Sequence, residues 1–419
     1  MDEKSLGRSI ADVATYVSEA RYHDLFAGLR RDDPVAWAAP EGFRPFWVVS
    51  KHADIREVEL NMDCFINAPR TFLISAEDED RLYGAQQAGL TSMGRTVAQV
   101  DGLEHRQLRK ITQLWFAPSN VNKLREQIHR IAVESIDAMA ARGGTCDFVQ
   151  DVALLYPLRV IMLILGLPRE DERLLLKLTQ EMFAPNDPST DADAGVQGML
   201  NASMAIGSYF EGVTKDRRAN PRDDVATVIA SAKIDGEYLS DIDVAAYYST
   251  IITAGHDTTS STSSGGLLAL LQHPAELAKL QDGEVSIDQA VDEFLRWTSP
   301  IKHFFRTATA DYDLRGRRIR KGDSLMLCYP SANRDEEVFD DPFAFRVGRT
   351  AAAHLAFGYG PHVCLGQHLA KLEIRTLYDE LLKRLEHASL IGEPALTESN
   401  FVQGLKQLPI RYTMRNVAA

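Results

Sequence analysis

Between Ser240 and Pro274 the chain runs without a proline, and no other stretch constrains the fold as strongly. Ser240-Asp241-Ile242-Asp243 has the form of a capping box, with Ser240 as N-cap and a carboxylate three residues on. A helix of some 32 residues starting there would be about 48 Å long at 1.5 Å per residue. That is enough to pass through the middle of a domain, so other elements must be arranged around it. Helical patterns also dominate elsewhere after residue 100, at 104–115, 121–141, 151–165 and 170–183, with Pro118 and Pro168 as punctuation. Strands are expected at Phe46-Trp47-Val48-Val49, before a helical stretch over 52–60, and again within 318–329, where Lys321-Gly322-Asp323 marks a turn.

A chain of 419 residues with 45% hydrophobic side chains can bury a large core. No Pro/Gly/Ser-rich linker separates two halves, so a single domain over 1–419 is expected. The formal net charge of −13 argues against nucleic acid, whose phosphates would be repelled. Cys64, Cys146, Cys328 and Cys364 are few and widely spaced, which indicates neither a disulfide framework nor a zinc site and suits a reducing cytoplasm. Residues 1–31 mix charges and hold no apolar run long enough for a signal peptide or membrane anchor. A cytoplasmic monomer is the expectation.

The chemistry is concentrated in Phe357-Gly358-Tyr359-Gly360-Pro361-His362-Val363-Cys364-Leu365-Gly366. Its glycines permit backbone geometries and close approaches that a side chain would block, so a flat, bulky group could lie against the loop. Leu365, Leu369, Leu372, Leu377, Leu381 and Leu385 recur at near-helical spacing and place Cys364 at a helix N-terminus. Backbone N–H groups and the helix dipole there favour a thiolate, the form that binds metal.

This loop resembles the haem-binding signature of the cytochrome P450 family: Phe, Gly, any residue, Gly, any residue, His or Arg, any residue, Cys, any residue, Gly. The resemblance implies a mainly α fold with small β-sheets, a single large triangular domain. It also implies b-type haem (iron protoporphyrin IX), with Cys364 as the iron ligand and Phe357, His362 and Gly366 as cofactor neighbours. Inside the long helix, Ala254-Gly255-His256-Asp257-Thr258-Thr259 is similar to the family's oxygen-activation segment. Splitting O2 consumes protons; Thr258 can hold a water or the oxygen ligand, and Asp257 can connect it to solvent protons. Ala254 and Gly255 would leave space for a ligand and permit a local break in the helix.

Haem carries two carboxylates, and four residues match family positions that hold them: His105 and Arg109, four apart on one helix face, Arg306, and His362. Glu293-Phe294-Leu295-Arg296 supplies a Glu-x-x-Arg pair that the resemblance joins to Arg349 in a structural, non-chemical role. Two electrons must arrive from outside. The chain has no room for fused redox domains, which implies a [2Fe-2S] ferredoxin and its reductase drawing on NAD(P)H. Arg106 and Lys110 could form the basic docking patch. Phe183, Phe304, Phe305 and Val402 fall where the family lines its substrate pocket and suggest a small apolar guest. The 186–193 loop is either a lid over that channel or a surface connection. The runs at 364–373 and 400–406 look similar to the terpineol-hydroxylating branch, which makes a terpenoid or alkylaromatic the first expectation, ahead of a steroid or fatty acid. A peroxide-dependent or non-oxygenating haem-thiolate enzyme is the alternative reaction type.

Overall fold

The computed structural model describes residues 2–88, 96–183, 196–349 and 354–415. Its helices that shape the site are α1 (His52–Leu60), α2 (Gly102–Gln113), α3 (Arg125–Ala140), α4 (Leu155–Ile164), α5 (Glu172–Phe183), α6 (Val196–Ala219), α7 (Asp241–Gln272), α8 (Ile287–Thr298) and α9 (Gln367–Arg384). One sheet joins β1 (Val35–Ala38), β2 (Phe46–Val49), β3 (Phe65–Ile66), β5 (His303–Ala308) and β6 (Ser324–Cys328) in the order β1-β2-β6-β5-β3. Another joins β4 (Thr145–Asp147), β7 (Leu385–Leu390) and β8 (Pro409–Met414) in the order β7-β8-β4. Mainly helical structure with small sheets is what the resemblance implied.

The long helix forms as expected, over 32 residues. Ser240 Oγ accepts the Asp243 N–H, and Asp241 and Asp243 sit at the positive end of the helix dipole. His273 caps the other end, and Pro274 starts the next helix. Helix α7 packs against α4, α6 and α8 and is buried around most of its circumference. Much of what it buries is hydroxyl. Five are satisfied within the helix: Thr250, Thr253, Thr258, Thr262 and Ser264 each donate to the carbonyl four residues back, at 2.6–2.9 Å, whereas Ser263 Oγ is buried without a partner. The helix runs unbroken through Ala254 and Gly255, without the local break those small residues would permit, and the Thr258 hydroxyl donates to the Ala254 carbonyl at 2.8 Å.

Other boundaries shift for local reasons. The 121–141 pattern opens with a short Pro118–Val121 turn and a 3-10 segment before α3 begins. The 151–165 pattern starts as a π segment over Val149–Ala153, since Pro157 has no N–H to return to residue 153. The 318–329 region contains the tail of a small hairpin, Tyr312–Leu314 with Arg317–Ile319, and then β6.

A buried ion cluster ties α8 to the chain preceding the cysteine loop. The Glu293 carboxylate accepts both Arg296 bonds at 2.7 Å, Arg349 Nε at 3.1 Å and the Arg346 N–H at 2.9 Å. Arg296 gives its remaining donors to the Asn333 and Pro342 carbonyls, both at 2.9 Å. Each charge is therefore compensated in a place where an unpaired one would be costly. We expect Arg296→Ala to lower stability by about 3–5 kcal/mol, read by denaturant unfolding, because it takes from the buried Glu293 carboxylate two of its four hydrogen bonds and the nearer of its two arginines.

Candidate active site

The cysteine loop, the middle of α7 and the start of β5 enclose one cavity. Cys364, Phe357 and Gly366 line it from the loop, Ala254, Gly255 and Thr258 from α7, and Phe304 and Arg306 from β5. The loop holds its shape through a Cys364 N–H bond to the Phe357 carbonyl at 2.9 Å. Gly360, at φ 68°, presses on α1: a Cβ there would sit 2.8 Å from the Glu59 carbonyl oxygen. At Gly366 a Cβ would meet nothing within 4 Å, so the space beside it belongs to the cavity.

Cys364 opens onto the cavity two residues before Gly366, the N-cap of α9. Burial raises its thiol pKa, while the Gly366 N–H, the Arg109 guanidinium and the Gln367 N–H pull it down. The net shift is upward, so the helix end favours the thiolate but does not by itself secure it. The missing stabilisation is what a bound cation would supply.

The four expected carboxylate partners gather at one edge. Rings of His105 and His362 stack with centroids 3.8 Å apart, and both nitrogens of His105 are buried without a hydrogen-bond partner. Burial and the neighbouring His362 and Arg109 lower the His105 pKa to about 4. Arg109 donates to the Val363 carbonyl at 2.8 Å, and burial lowers its pKa. His362 lies 2.8 Å from the Asn67 amide nitrogen. Arg306 is already engaged: its Nη2 meets Glu59 Oε1 at 3.1 Å, and the Tyr329 hydroxyl donates to the same oxygen at 2.8 Å. Glu59 is 3% exposed, its second oxygen has no partner, and burial raises its pKa. A lone glutamate on a short helix carries no sequence signal, so Glu59, like Asn67, was not foreseen. The donor set still suits a group bearing two carboxylates: Arg109, Arg306 and His362 line the cavity, and His105, its ring nitrogens without partners, stacks on His362.

On α7 the ligand-space reading of Gly255 needs amendment. A Cβ there would lie 2.4 Å from Ile161 Cδ1, so the glycine also makes room for the Ile161 side chain of α4. Thr258 lines the cavity with its hydroxyl hydrogen committed to Ala254. Asp257 is not the solvent-connected carboxylate expected. Its side chain is 14% exposed, its Oδ2 is buried and partnerless, and burial pushes its pKa up to about 8. Glu373 is a second buried acid, raised far from its ordinary value and also lining the cavity.

The four expected pocket residues divide. Phe304 and its neighbour Phe401 line the cavity. Phe305 does not; adjacent strand residues face opposite sides, and it packs in the core against Phe46 under the Arg70 guanidinium. Val402 is likewise buried, bridging to Ile301, which leaves Phe401 as the lining residue. The Phe183 side chain and the 186–193 loop lie outside the described residues. Arg106 and Lys110 are exposed on α2, whose outer surface also shows Leu103. Among the described residues no helix is long and apolar enough to cross a membrane.

The cytochrome P450 family profile matches residues 76–285 and 286–414. The chain belongs to the cytochrome P450 family. It is 40% identical to cytochrome P450-terp of a Pseudomonas species, over 97% of each chain. It is 33% identical to a steroid C26-monooxygenase of Mycolicibacterium smegmatis, over 92% and 90% of the two chains. The crystal structure of CYP108D1 from Novosphingobium aromaticivorans superposes with a TM-score of 0.89 at 40% identity, covering 98% of each. Mycobacterium marinum CYP268A2 in complex with pseudoionone gives 0.88 at 29% identity, covering 96% and 97%. The protein is thus a P450 monooxygenase, and the family's cofactor is haem with a thiolate ligand.

The buried acid of this P450 makes a linkage prediction. The folded state holds the Asp257 proton up to about 8, whereas an unfolded aspartate releases it near 3.8. The folded state therefore binds more protons in that window, and stability falls as pH rises through it. Denaturant unfolding at about pH 5 and about pH 7.5 should show that Asp257→Asn loses less stability than the parent protein over this interval.

Proposed function

We propose that this P450 hydroxylates a small apolar substrate with O2 and electrons from a [2Fe-2S] ferredoxin, with Cys364 as the iron ligand. One observation carries the site assignment: Cys364 and Thr258 line a single cavity together with Arg109, Arg306 and His362, and His105 stacks on His362. Haem bound there would be held by Cys364 at its iron and by those four residues at its carboxylates, with Phe357 and Gly366 as neighbours in the cavity wall. When bound, it supplies the redox chemistry that activates dioxygen and inserts one oxygen atom into a C–H bond.

The residues around it bind, exclude water and move protons. Asp257 is the acid reserve, protonated at neutral pH by its burial. Thr258 presents lone pairs to the cavity while its hydrogen rests on the Ala254 carbonyl. To donate into the cavity it must release that carbonyl, a rotation about one bond. Ala254 and Gly255 keep this stretch of α7 narrow. Glu293, Arg296 and Arg349 act at a distance, fixing the segment that leads into the cysteine loop.

The substrate reading rests on the cavity wall and on relatives. Ile251, Leu295, Ile301, Phe304 and Phe401 form an apolar lining with Thr250 as a polar point. Similarity to cytochrome P450-terp and to a structure holding pseudoionone favours a terpenoid or a small alkylaromatic. The steroid C26-monooxygenase at 33% identity keeps a steroid as the second reading. Electrons would enter from the α2 side, where Arg106, Lys110 and the exposed Leu103 suit an acidic, partly apolar ferredoxin served by a NAD(P)H-dependent reductase in the cytoplasm.

With ferredoxin, reductase and NAD(P)H, the holoenzyme should convert a terpenoid that shifts its spin state into an alcohol. Cys364→Ala should abolish that turnover, and a faster rate with hydrogen peroxide alone would favour the peroxide-dependent alternative. Alanine at both Arg106 and Lys110 should slow ferredoxin-driven reduction at low salt; an unchanged rate would remove this face as the docking surface.

A further inference from the structure

Haem would bring two carboxylates to an edge that already holds acids of its own. Glu59 of α1 lines the same cavity as Arg109, Arg306 and His362, and Gly358 of the cysteine loop stands beside it, where a Cβ would lie 3.4 Å from Glu59 Oε1. Oε1 takes the Arg306 Nη2 bond at 3.1 Å and the Tyr329 hydroxyl at 2.8 Å, while Oε2 is buried with no hydrogen-bond partner. A haem carboxylate held by Arg306 would therefore share that guanidinium with Glu59. Asp101 adds another acid, 3.7 Å from His362 Nε2, with the Asn67 and Ala68 N–H groups on its oxygens at 2.9–3.1 Å. With every acid ionised, four carboxylates would face Arg109, Arg306 and, even were it charged, His362, so negative charge is left over. In a largely buried place such an excess is relieved by a proton.

We propose that Glu59 takes up a proton from solvent when haem binds and stays a neutral acid beside the haem carboxylates, so that retention of the cofactor depends on pH through this one side chain. The inference rests on the proposed seating of haem between Cys364 and α7. The surroundings single out Glu59 as the proton's place. Asp101 has backbone N–H groups on both its oxygens, which favour its ionised form, whereas Glu59 leaves one oxygen bare, and a buried anionic oxygen without a donor is costly. Among the described residues its one ion pair is with Arg306, the cation that haem would share. Burial raises its pKa although Arg306, the Tyr329 hydroxyl and the Tyr359 N–H oppose the rise. Of the other charged groups nearby, Arg109 of α2 and His362 of the cysteine loop line the cavity. On α1 itself Arg56 donates to the Tyr359 hydroxyl at 2.6 Å and Glu57 accepts from Tyr312 at 2.8 Å. The acid's pKa is then higher with haem than without it, so haem affinity falls as pH rises between those two values.

The test is the rate at which the ferric holoenzyme loses haem to excess apomyoglobin, followed by absorbance between about pH 6 and about pH 9. The parent protein should lose haem faster as pH rises, by up to about tenfold per pH unit where one proton is coupled. Glu59→Gln still accepts from Arg306 and Tyr329 but cannot ionise, so its profile should be flatter and its loss at the alkaline end slower than the parent's. A role of Glu59 confined to holding Arg306 would instead leave the two profiles parallel. Tyr329→Phe removes a donor that favours the anion, so the rise should move to higher pH. A parent rate that does not change with pH, a Glu59→Gln profile parallel to the parent's, or an unmoved rise in Tyr329→Phe would overturn the proposal. If the glutamine variant does not fold, the parent and Tyr329→Phe profiles decide alone. A reduced carbon monoxide adduct lacking the thiolate signature would instead refute the seating of haem itself, so the two failures are separable.

Discussion

Everything about the site depends on carrying one long helix through the interior while leaving part of its flank open to a cavity. Helix α7 meets this constraint by returning the hydroxyls of Thr250, Thr253, Thr262 and Ser264 to its own carbonyls, which lets those side chains lie on packed faces without outside partners. The same device keeps Thr258 ready, since its hydrogen rests on Ala254 and can be released without unwinding the helix. Close packing against α4 at Gly255 then brings Leu154, which enters α4, within reach of His256.

Electrostatics divides the cavity into two halves. At its edge charges are concentrated: Arg109, Arg306 and Glu59 lie near a stacked histidine pair held at low pKa by burial. On its other side Glu373 of α9 lines the cavity and Asp257 of α7 lies next to the lining Thr258, and desolvation raises both. An edge rich in donors suits the proposed carboxylates of haem. A neutral interior suits an apolar guest and stores protons where water does not compete.

Much of this arrangement was legible in the residues themselves. The proline-free stretch announced α7 and its Ser240 cap, and the glycine pattern around Cys364 announced a loop that something flat could approach. Glu293, Arg296 and Arg349 meet in the cluster that the resemblance implied. What could not be read were relations between distant segments. Glu59 claims Arg306 across 247 positions, and the Leu154 carbonyl that fixes His256 lies 102 positions away. The burial that opposes the helix end at Cys364 likewise comes from packing that the loop's own residues do not reveal. Phe305 and Val402 failed as pocket residues because neighbouring side chains on extended backbone point to opposite faces, and their neighbours Phe304 and Phe401 took the cavity.

The central claim is that Cys364 is the axial thiolate of a haem seated between its loop and α7. The reduced protein under carbon monoxide tests it most directly, since a thiolate ligand moves the main absorption band far to the red of its position under a histidine ligand. We predict the red-shifted band in the parent protein and its loss in Cys364→Ala. A band at the histidine-type position in the freshly purified, folded protein, or a red-shifted band that survives Cys364→Ala, would contradict the account.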